Sequence, residues 1–346
     1  METQAERVEK IGAAFKLRPR RLRTSQNIRE LVSETWVNAS QLVMPIFVKE
    51  GAGIKETIDS MPGIFRYSPD TSLDSEVEEI SSLGLKSVLL FGLPKFKDQL
   101  GSGAYDKSGV VQVATRRIKQ AHPELTVITD VCMCEYTNHG HCGIVAPNGT
   151  VQNQETIEYL SKIAVSQAEA GADIVAPSAM MDQQVSSIRR GLDSNGFEDI
   201  PIMSYSSKYA SAFYGPFREA ADSAPSFGDR RSYQMNPANS REALREMQLD
   251  FEEGADILMV KPALSYLDVI MMAKQEFNMP LAAYSVSGEY SMIKAAAING
   301  WLDEARTIDE TLLAIRRAGA DILITYFAKQ YVRNAATLGS KLNNRE

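Results

Sequence analysis

Eight short apolar runs rich in β-branched and aromatic residues recur along the chain: LVMPIFV from Leu42, SVLLFGL from Ser87, TVITDV from Thr126, DIVAPS from Asp173, IPIMSYS from Ile200, DILMVKP from Asp256, LAAYSVS from Leu281 and DILITYF from Asp321. Each has the length of a strand, and helical periodicity fills most of the gaps between them. Leu244, Met247 and Phe251, for example, recur on one helical face behind Ser240, which the pattern makes an N-cap. Alternating strands and helices predict a parallel sheet. The runs are apolar throughout rather than at every second position, so their strands are expected to be buried on both faces.

Three of the runs follow the same word: Gly171, Gly254 and Gly319 each open a Gly-Ala-Asp triplet, with the glycine placed to end the preceding helix in a left-handed turn. A repeated helix-Gly-strand unit, used with eight strands, predicts an α/β fold of the (β/α)8 TIM-barrel type, ahead of an open doubly wound sheet. Such a barrel takes about 250 residues, and the chain has 346. The surplus is assigned to an extended N-terminal arm over 1–38, packing on another subunit, ahead of a catalytic barrel over 39–346. A long Gly-, Pro- and Ser-rich stretch at about 209–239 is read as a lid.

The chain carries 37 Lys plus Arg against 44 Asp plus Glu, a formal charge of −7. That balance disfavours nucleic acid as a partner, although the arm contains the basic run Arg18-Pro19-Arg20-Arg21-Leu22-Arg23. No segment approaches the roughly 18 consecutive apolar residues of a membrane-spanning helix, and the N-terminus lacks a signal peptide's apolar run. A cytoplasmic protein without a membrane partner is expected.

Catalytic groups of a (β/α)8 barrel gather just past the C-terminal ends of its strands. Those positions hold Asp130 after the third strand, Ser178 after the fourth, Ser206 and Lys208 at the fifth, Lys261 at the sixth, Ser287 after the seventh and Tyr326 after the eighth. The serines and the tyrosine could simply be strand ends meeting solvent. The lysines carry more: an ammonium in a partly desolvated site beside a second cation loses pKa and becomes an amine able to form a Schiff base with a ketone. Each could also snorkel at the barrel mouth. On the lid, Arg218, Arg230, Arg231 and Gln234 are donors within reach of an anionic substrate.

All three cysteines, Cys132, Cys134 and Cys142, fall within DVCMCEYTNHGHCG. Three thiolates suit Zn²⁺ and leave a fourth position open for water or substrate, a catalytic pattern; His139 or His141 in that position would instead make a closed structural site.

Taken together, RPRRLR, DVCMCEYTNHGHCGI, VAPSAMMD, MSYSSKYASAFYGPFREAADSAP, GDRRSYQMNPAN, MVKPALSYLD, VSGEY and TYFAK, spread along nearly the whole chain, resemble the porphobilinogen synthase (5-aminolevulinate dehydratase) family. The resemblance implies a lyase of tetrapyrrole (heme and chlorophyll) biosynthesis that condenses two 5-aminolevulinate molecules to porphobilinogen with loss of two waters. It makes Lys261 the lysine that holds the first substrate and Lys208 the one that engages the second. Ser287 and Tyr326 would bind the first carboxylate; Arg218, Arg230 and Gln234 would bind the second, with Phe213 and Ser178 completing the substrate-binding set. Cys132, Cys134 and Cys142 match the ligands of a catalytic zinc, with Asp130 on the metal side of the polar network. Glu246 matches a position that binds an activating, allosteric Mg²⁺. The resemblance further implies a homo-octamer built from arm-hugging dimers. Some members carry aspartates in place of the cysteines and use harder cations; the thiols here favour zinc. Ala179 and Gln183-Gln184 stand where other members carry Asp and Gly-Arg. Other readings of the residues are a class I aldolase-like barrel and a non-catalytic zinc-binding scaffold.

Overall fold

A computed structural model describes residue 6 and residues 18–343. Most of the first half of the arm, residues 1–5 and 7–17, lies outside the described residues. The chain divides into two compact units, Met1–Trp36 and Val37–Glu346. In the described part of the first, a short 3-10 turn Pro19–Arg23 precedes the helix Gln26–Leu31, whose Ser25 side chain accepts from the Ile28 amide. None of residues 18–36 is buried, so this segment has no core of its own.

In the second unit all eight expected strands form. They are β1 (Leu42–Lys49), β2 (Ser87–Leu93), β3 (Thr126–Val131), β4 (Ile174–Pro177), β5 (Met203–Lys208), β6 (Ile257–Lys261), β7 (Leu281–Ser285) and β8 (Ile322–Thr325). They pair in parallel in the order β4-β3-β2-β1-β8-β7-β6-β5. A bridge between Val175 and Ile202, the residue before β5, joins the two ends. The ring is therefore a nearly closed (β/α)8 barrel, and the open doubly wound sheet is excluded. A short hairpin, Lys55–Thr57 with Phe65–Tyr67, is added beside the C-terminal half of β1. The continuous apolar runs are buried as expected, from Leu42 through Val48 in β1 to Leu323 and Ile324 in β8.

Helices α1 (Thr71–Ser82), α2 (Val110–Ala121), α3 (Asn153–Glu169), α4 (Gln184–Ser194), α5 (Gly215–Ala220), α6 (Arg241–Glu252), α7 (Leu267–Glu276), α8 (Ser287–Ile298), α9 (Glu304–Ala318) and α10 (Ala328–Asn343) connect the strands. The Gly-Ala-Asp repeat does two jobs. Its glycines all have positive φ, as expected for helix ends. Its aspartates clamp neighbouring strands at their starts: Asp173 accepts from the Val127 amide at 2.7 Å, Asp256 from Ile202 at 2.8 Å and Asp321 from Leu281 at 3.2 Å. These clamps lie at the end of the barrel opposite the catalytic face, where they serve stability.

The helix expected behind Ser240 forms as α6, but the serine does not cap it: Ser240 has helical dihedrals and its side chain makes no cap hydrogen bond. On that helix Met247 is buried and Leu244 packs on the core, while Phe251 is half exposed.

Candidate active site

The two lysines meet because β5 contains an irregularity. Ser204 pairs with Leu258, yet Ser207 pairs with Val260 and Lys208 with Lys261, so β5 spends one extra residue over that interval. Side chains two apart share a face of a regular strand, and an inserted residue reverses that parity. Ser204 and Ser207, three apart, accordingly both face α6: Ser204 donates to Asp250 at 2.6 Å and Ser207 to the Ala243 carbonyl at 3.2 Å. Tyr205 and Lys208, also three apart, both face the barrel interior, where the Lys208 Nζ lies 5.5 Å from the Tyr205 ring centre. Without the bulge Lys208 would point outward with Ser204. With it, Lys208 and Lys261 are neighbours in register at the catalytic mouth, each only 5% exposed.

Their surroundings differ. Lys261 sits in an aromatic enclosure, its Nζ 4.2 Å from the Tyr284 ring centre, 4.9 Å from Tyr205 and 5.2 Å from Phe217. Burial, followed by repulsion from the Lys208 ammonium, pushes the Lys261 pKa down to about 7. Lys208 donates to the Ser178 carbonyl. Burial opposes its charge, but Cys142, Cys132 and Asp130 outweigh that and hold its pKa above the ordinary lysine value. One lysine is thus poised as a neutral nucleophile beside another that stays cationic. Asp130, on β3, is raised to about 7 by burial and by Glu135, against the pull of the two lysines.

The thiols lie beside this pair. Cys132, Cys134 and Cys142 are buried, unpaired and close enough to share one ion, with the Cys132 and Cys134 sulfurs 3.4 Å apart. Hydrogen bonds from Cys132 and Cys134, with Arg230 and Lys208 nearby, hold the Cys142 thiol well below its usual pKa. Three soft donors fit a thiophilic cation. His141 is otherwise engaged, its ring nitrogens 3.1 Å from the Tyr233 hydroxyl and 3.0 Å from the Phe227 carbonyl. Neither it nor His139 joins the two ion-sized groups found among the described residues, the three thiols and Asp130 with Cys132 and Glu135, so neither histidine closes the site.

The 209–239 segment, read above as a lid, packs beside both groups. Arg230 donates to the Gly140 carbonyl at 2.9 Å and to the Ser223 carbonyl, tying the lid to the cysteine loop. Gly140 is needed there because a Cβ would stand 2.3 Å from the Ala224 carbonyl oxygen. At its other end, the Ser287 hydroxyl accepts from the Phe217 amide at 2.9 Å and donates to the Phe213 carbonyl.

Asp130, Cys134, Ser178, Lys208, Lys261, Arg218 and Arg230 thus share one cavity. It has room for only a water or two. Ser287, Phe213 and Tyr326 do not line that cavity: the first two form the lid latch, and the Tyr326 hydroxyl meets that of Tyr284 at 2.9 Å. Gln234 is buried but lines a neighbouring cavity of about 630 Å³, together with Asp182, Glu242 and Glu246. Burial and repulsion from Asp250, Asp182 and Glu242 raise Glu246 to about 7, so this pocket holds acid groups short of counter-charge.

Sequence reasoning missed Glu135 and the aromatic enclosure. A carboxylate inside an apolar Cys-rich loop was a usable signal for the first. Tyr205 offered none, since ordinary strand parity puts it on the face opposite Lys208.

A sequence profile of the family described as Delta-aminolevulinic acid dehydratase matches residues 16–334. The chain is 56% identical over 316 residues to the Delta-aminolevulinic acid dehydratase of Halalkalibacterium halodurans, covering 91% of this chain and 96% of that one. It is 57% identical over 315 residues to that of Methanothermus sociabilis, covering 91% and 97%. Among solved structures, the Toxoplasma gondii delta-aminolevulinic acid dehydratase (porphobilinogen synthase) in complex with its reaction product porphobilinogen superposes with a TM-score of 0.92, at 43% identity over 95% of each chain.

Proposed function

The chain belongs to the delta-aminolevulinic acid dehydratase family, and on that premise we propose how its own residues condense two molecules of 5-aminolevulinate into porphobilinogen with loss of two waters. The observation that carries the assignment is the in-register pair Lys208 and Lys261, one cationic and one held near pKa 7. The aldolase-like reading uses only one lysine, and the scaffold reading uses neither.

Each substrate brings a carboxylate, a ketone and an amine. The neutral Lys261 amine attacks the ketone of the first substrate, whose oxygen leaves as water to give an imine on Nζ. Asp130, titrating near 7, takes a proton from the carbon beside that imine, giving an enamine. Two bonds then join the substrates. The enamine carbon adds to the second ketone, whose oxygen departs as the second water, and the second substrate's amine displaces Lys261, freeing the lysine and closing the ring. Proton loss makes the ring aromatic.

Lys208 and Ser178 hold the second substrate, while Arg218, Arg230 and Gln234 bind its carboxylate. Ser287 and Tyr326 bind the first carboxylate once the lid latch is released, with Phe213 packing over it. Cys132, Cys134 and Cys142 would hold Zn²⁺, which supplies a Lewis acid for the second substrate's carbonyl or amine. Glu246, with Asp182 and Glu242, suits an activating Mg²⁺.

Three reduced, buried cysteines fit a cytoplasmic enzyme. The arm packs on another copy of the barrel in a homo-octamer. Purified protein incubated with 5-aminolevulinate should form one porphobilinogen per two substrates consumed; a Lys261→Met variant that still forms it would refute the assignment of roles.

A further inference from the structure

The bulge in β5 determines where Lys208 points, and one carboxylate lies directly behind it. Asp250, on α6, accepts from the Ser204 hydroxyl at 2.6 Å, while the Ser206 hydroxyl turns back to the Ser204 carbonyl at 3.3 Å, so Asp250 holds the bulge at Ser204. Ser207, bonded to the Ala243 carbonyl, provides a second staple to the same helix. Asp250 lies outside the barrel, between α6 and β5, lines no part of the lysine cavity and has no role in the chemistry derived above. The helix-facing side of β5 is also unusually polar for a barrel strand, since Ser204, Ser206 and Ser207 are all buried.

We propose that Asp250 is a positioning residue for the reaction: by holding the Ser204–Ser207 bulge against α6 it turns Lys208 into the barrel and keeps its ammonium beside Lys261. The alternative register, a regular strand, places Lys208 against α6 and leaves Lys261 alone at the mouth. A carboxylate suits the task because, as a charged acceptor, it makes a short bond to the Ser204 hydroxyl. Burial raises its pKa to about 6 despite the serine hydroxyls beside it, which marks the position as one where a carboxylate is kept against its solvation preference.

The inference rests on the two-lysine reading above, and its test is read separately from turnover. The probe is 4-oxopentanoate, which has the substrate's ketone and carboxylate but no amine, reduced onto Lys261 by cyanoborohydride; the pH midpoint of labelling reports the Lys261 pKa. In wild-type protein the Lys208 ammonium keeps that midpoint low. In Asp250→Ala the midpoint should rise by about one pH unit, because the like charge has moved away. Porphobilinogen formation should fall about tenfold or more in the folded variant. Asp250→Asn, whose amide oxygen still accepts from the Ser204 hydroxyl, should restore the midpoint and bring activity within about threefold of wild type.

Ser204→Ala removes a single oxygen and retains the fold; it should shift the midpoint the same way by less. An unmoved midpoint in Asp250→Ala or Ser204→Ala would overturn the proposal, as would an Asp250→Asn protein no better than Asp250→Ala. Wild-type protein that is labelled at Lys261 yet makes no porphobilinogen would refute the function while the midpoint series still decided the role of Asp250.

Discussion

The chemistry of Lys261 depends on what stands next to it. Its low pKa comes from burial and then from Lys208, so replacing Lys208 by methionine removes a like charge and favours the protonated form. The sign is therefore upward: the pH midpoint for imine trapping on Lys261 should move from about 7 toward the ordinary lysine value, and trapping at pH 7 should slow. An unchanged midpoint would mean that burial alone sets the pKa. Lys261 and the three cysteines are legible in the sequence because a lysine after four apolar residues, and three thiols in one loop, are chemically costly without a use; Lys208, after Ser-Tyr-Ser-Ser, is legible only as a strand-end position. Tyr205, Phe217 and Glu135 are not, because their contribution depends on which way neighbouring strands face. Ser287 and Tyr326 are legible only as strand-end positions; the hydroxyls they hold are already bonded to Phe217, Phe213 and Tyr284.

At the scale of elements, the two ends of the barrel make opposite predictions. At the stability end, Asp256→Ala strands the Ile202 amide in a partly buried position and should cost about 1–3 kcal/mol in denaturant unfolding. Turnover of the folded fraction should not change. At the catalytic end, a Cβ at Gly288 would stand 2.5 Å from the Phe213 carbonyl oxygen, backbone that cannot step aside without moving the lid latch. Gly288→Ala should thus raise KM and lower kcat/KM about tenfold while costing stability of only about 1–3 kcal/mol. All eight strands were readable from continuous apolar runs, since burial on both faces leaves an unbroken hydrophobic signature. The β5 bulge was not: Met203–Lys208 reads as an ordinary strand, and only its pairing with β6 reveals the extra residue. The Ser240 cap is absent for a local reason, as a serine with helical dihedrals is already part of the turn it was expected to open.

The whole molecule divides its labour along the chain. Every buried hydrophobic residue among those described belongs to the unit Val37–Glu346, while Leu31 and Trp36 of the first unit are exposed. Removing residues 1–36 should leave a folded barrel by circular dichroism but reduce the assembly seen by light scattering; an unchanged mass would take the arm out of subunit contacts. The barrel unit exposes apolar surface of its own, Ile298 and Trp301 among it, which an oligomer would cover. The number of subunits was never legible from residue patterns, because an interface is a property of two surfaces and the chain displays one.

A buried Lys261 amine that captures the first substrate beside a cationic Lys208 can be trapped by borohydride reduction in the presence of 5-aminolevulinate, followed by peptide mapping. One substrate-derived mass is expected on the peptide containing Lys261, absent in Lys261→Met; labelling confined to other lysines, or no labelling in protein that still makes porphobilinogen, would refute that capture.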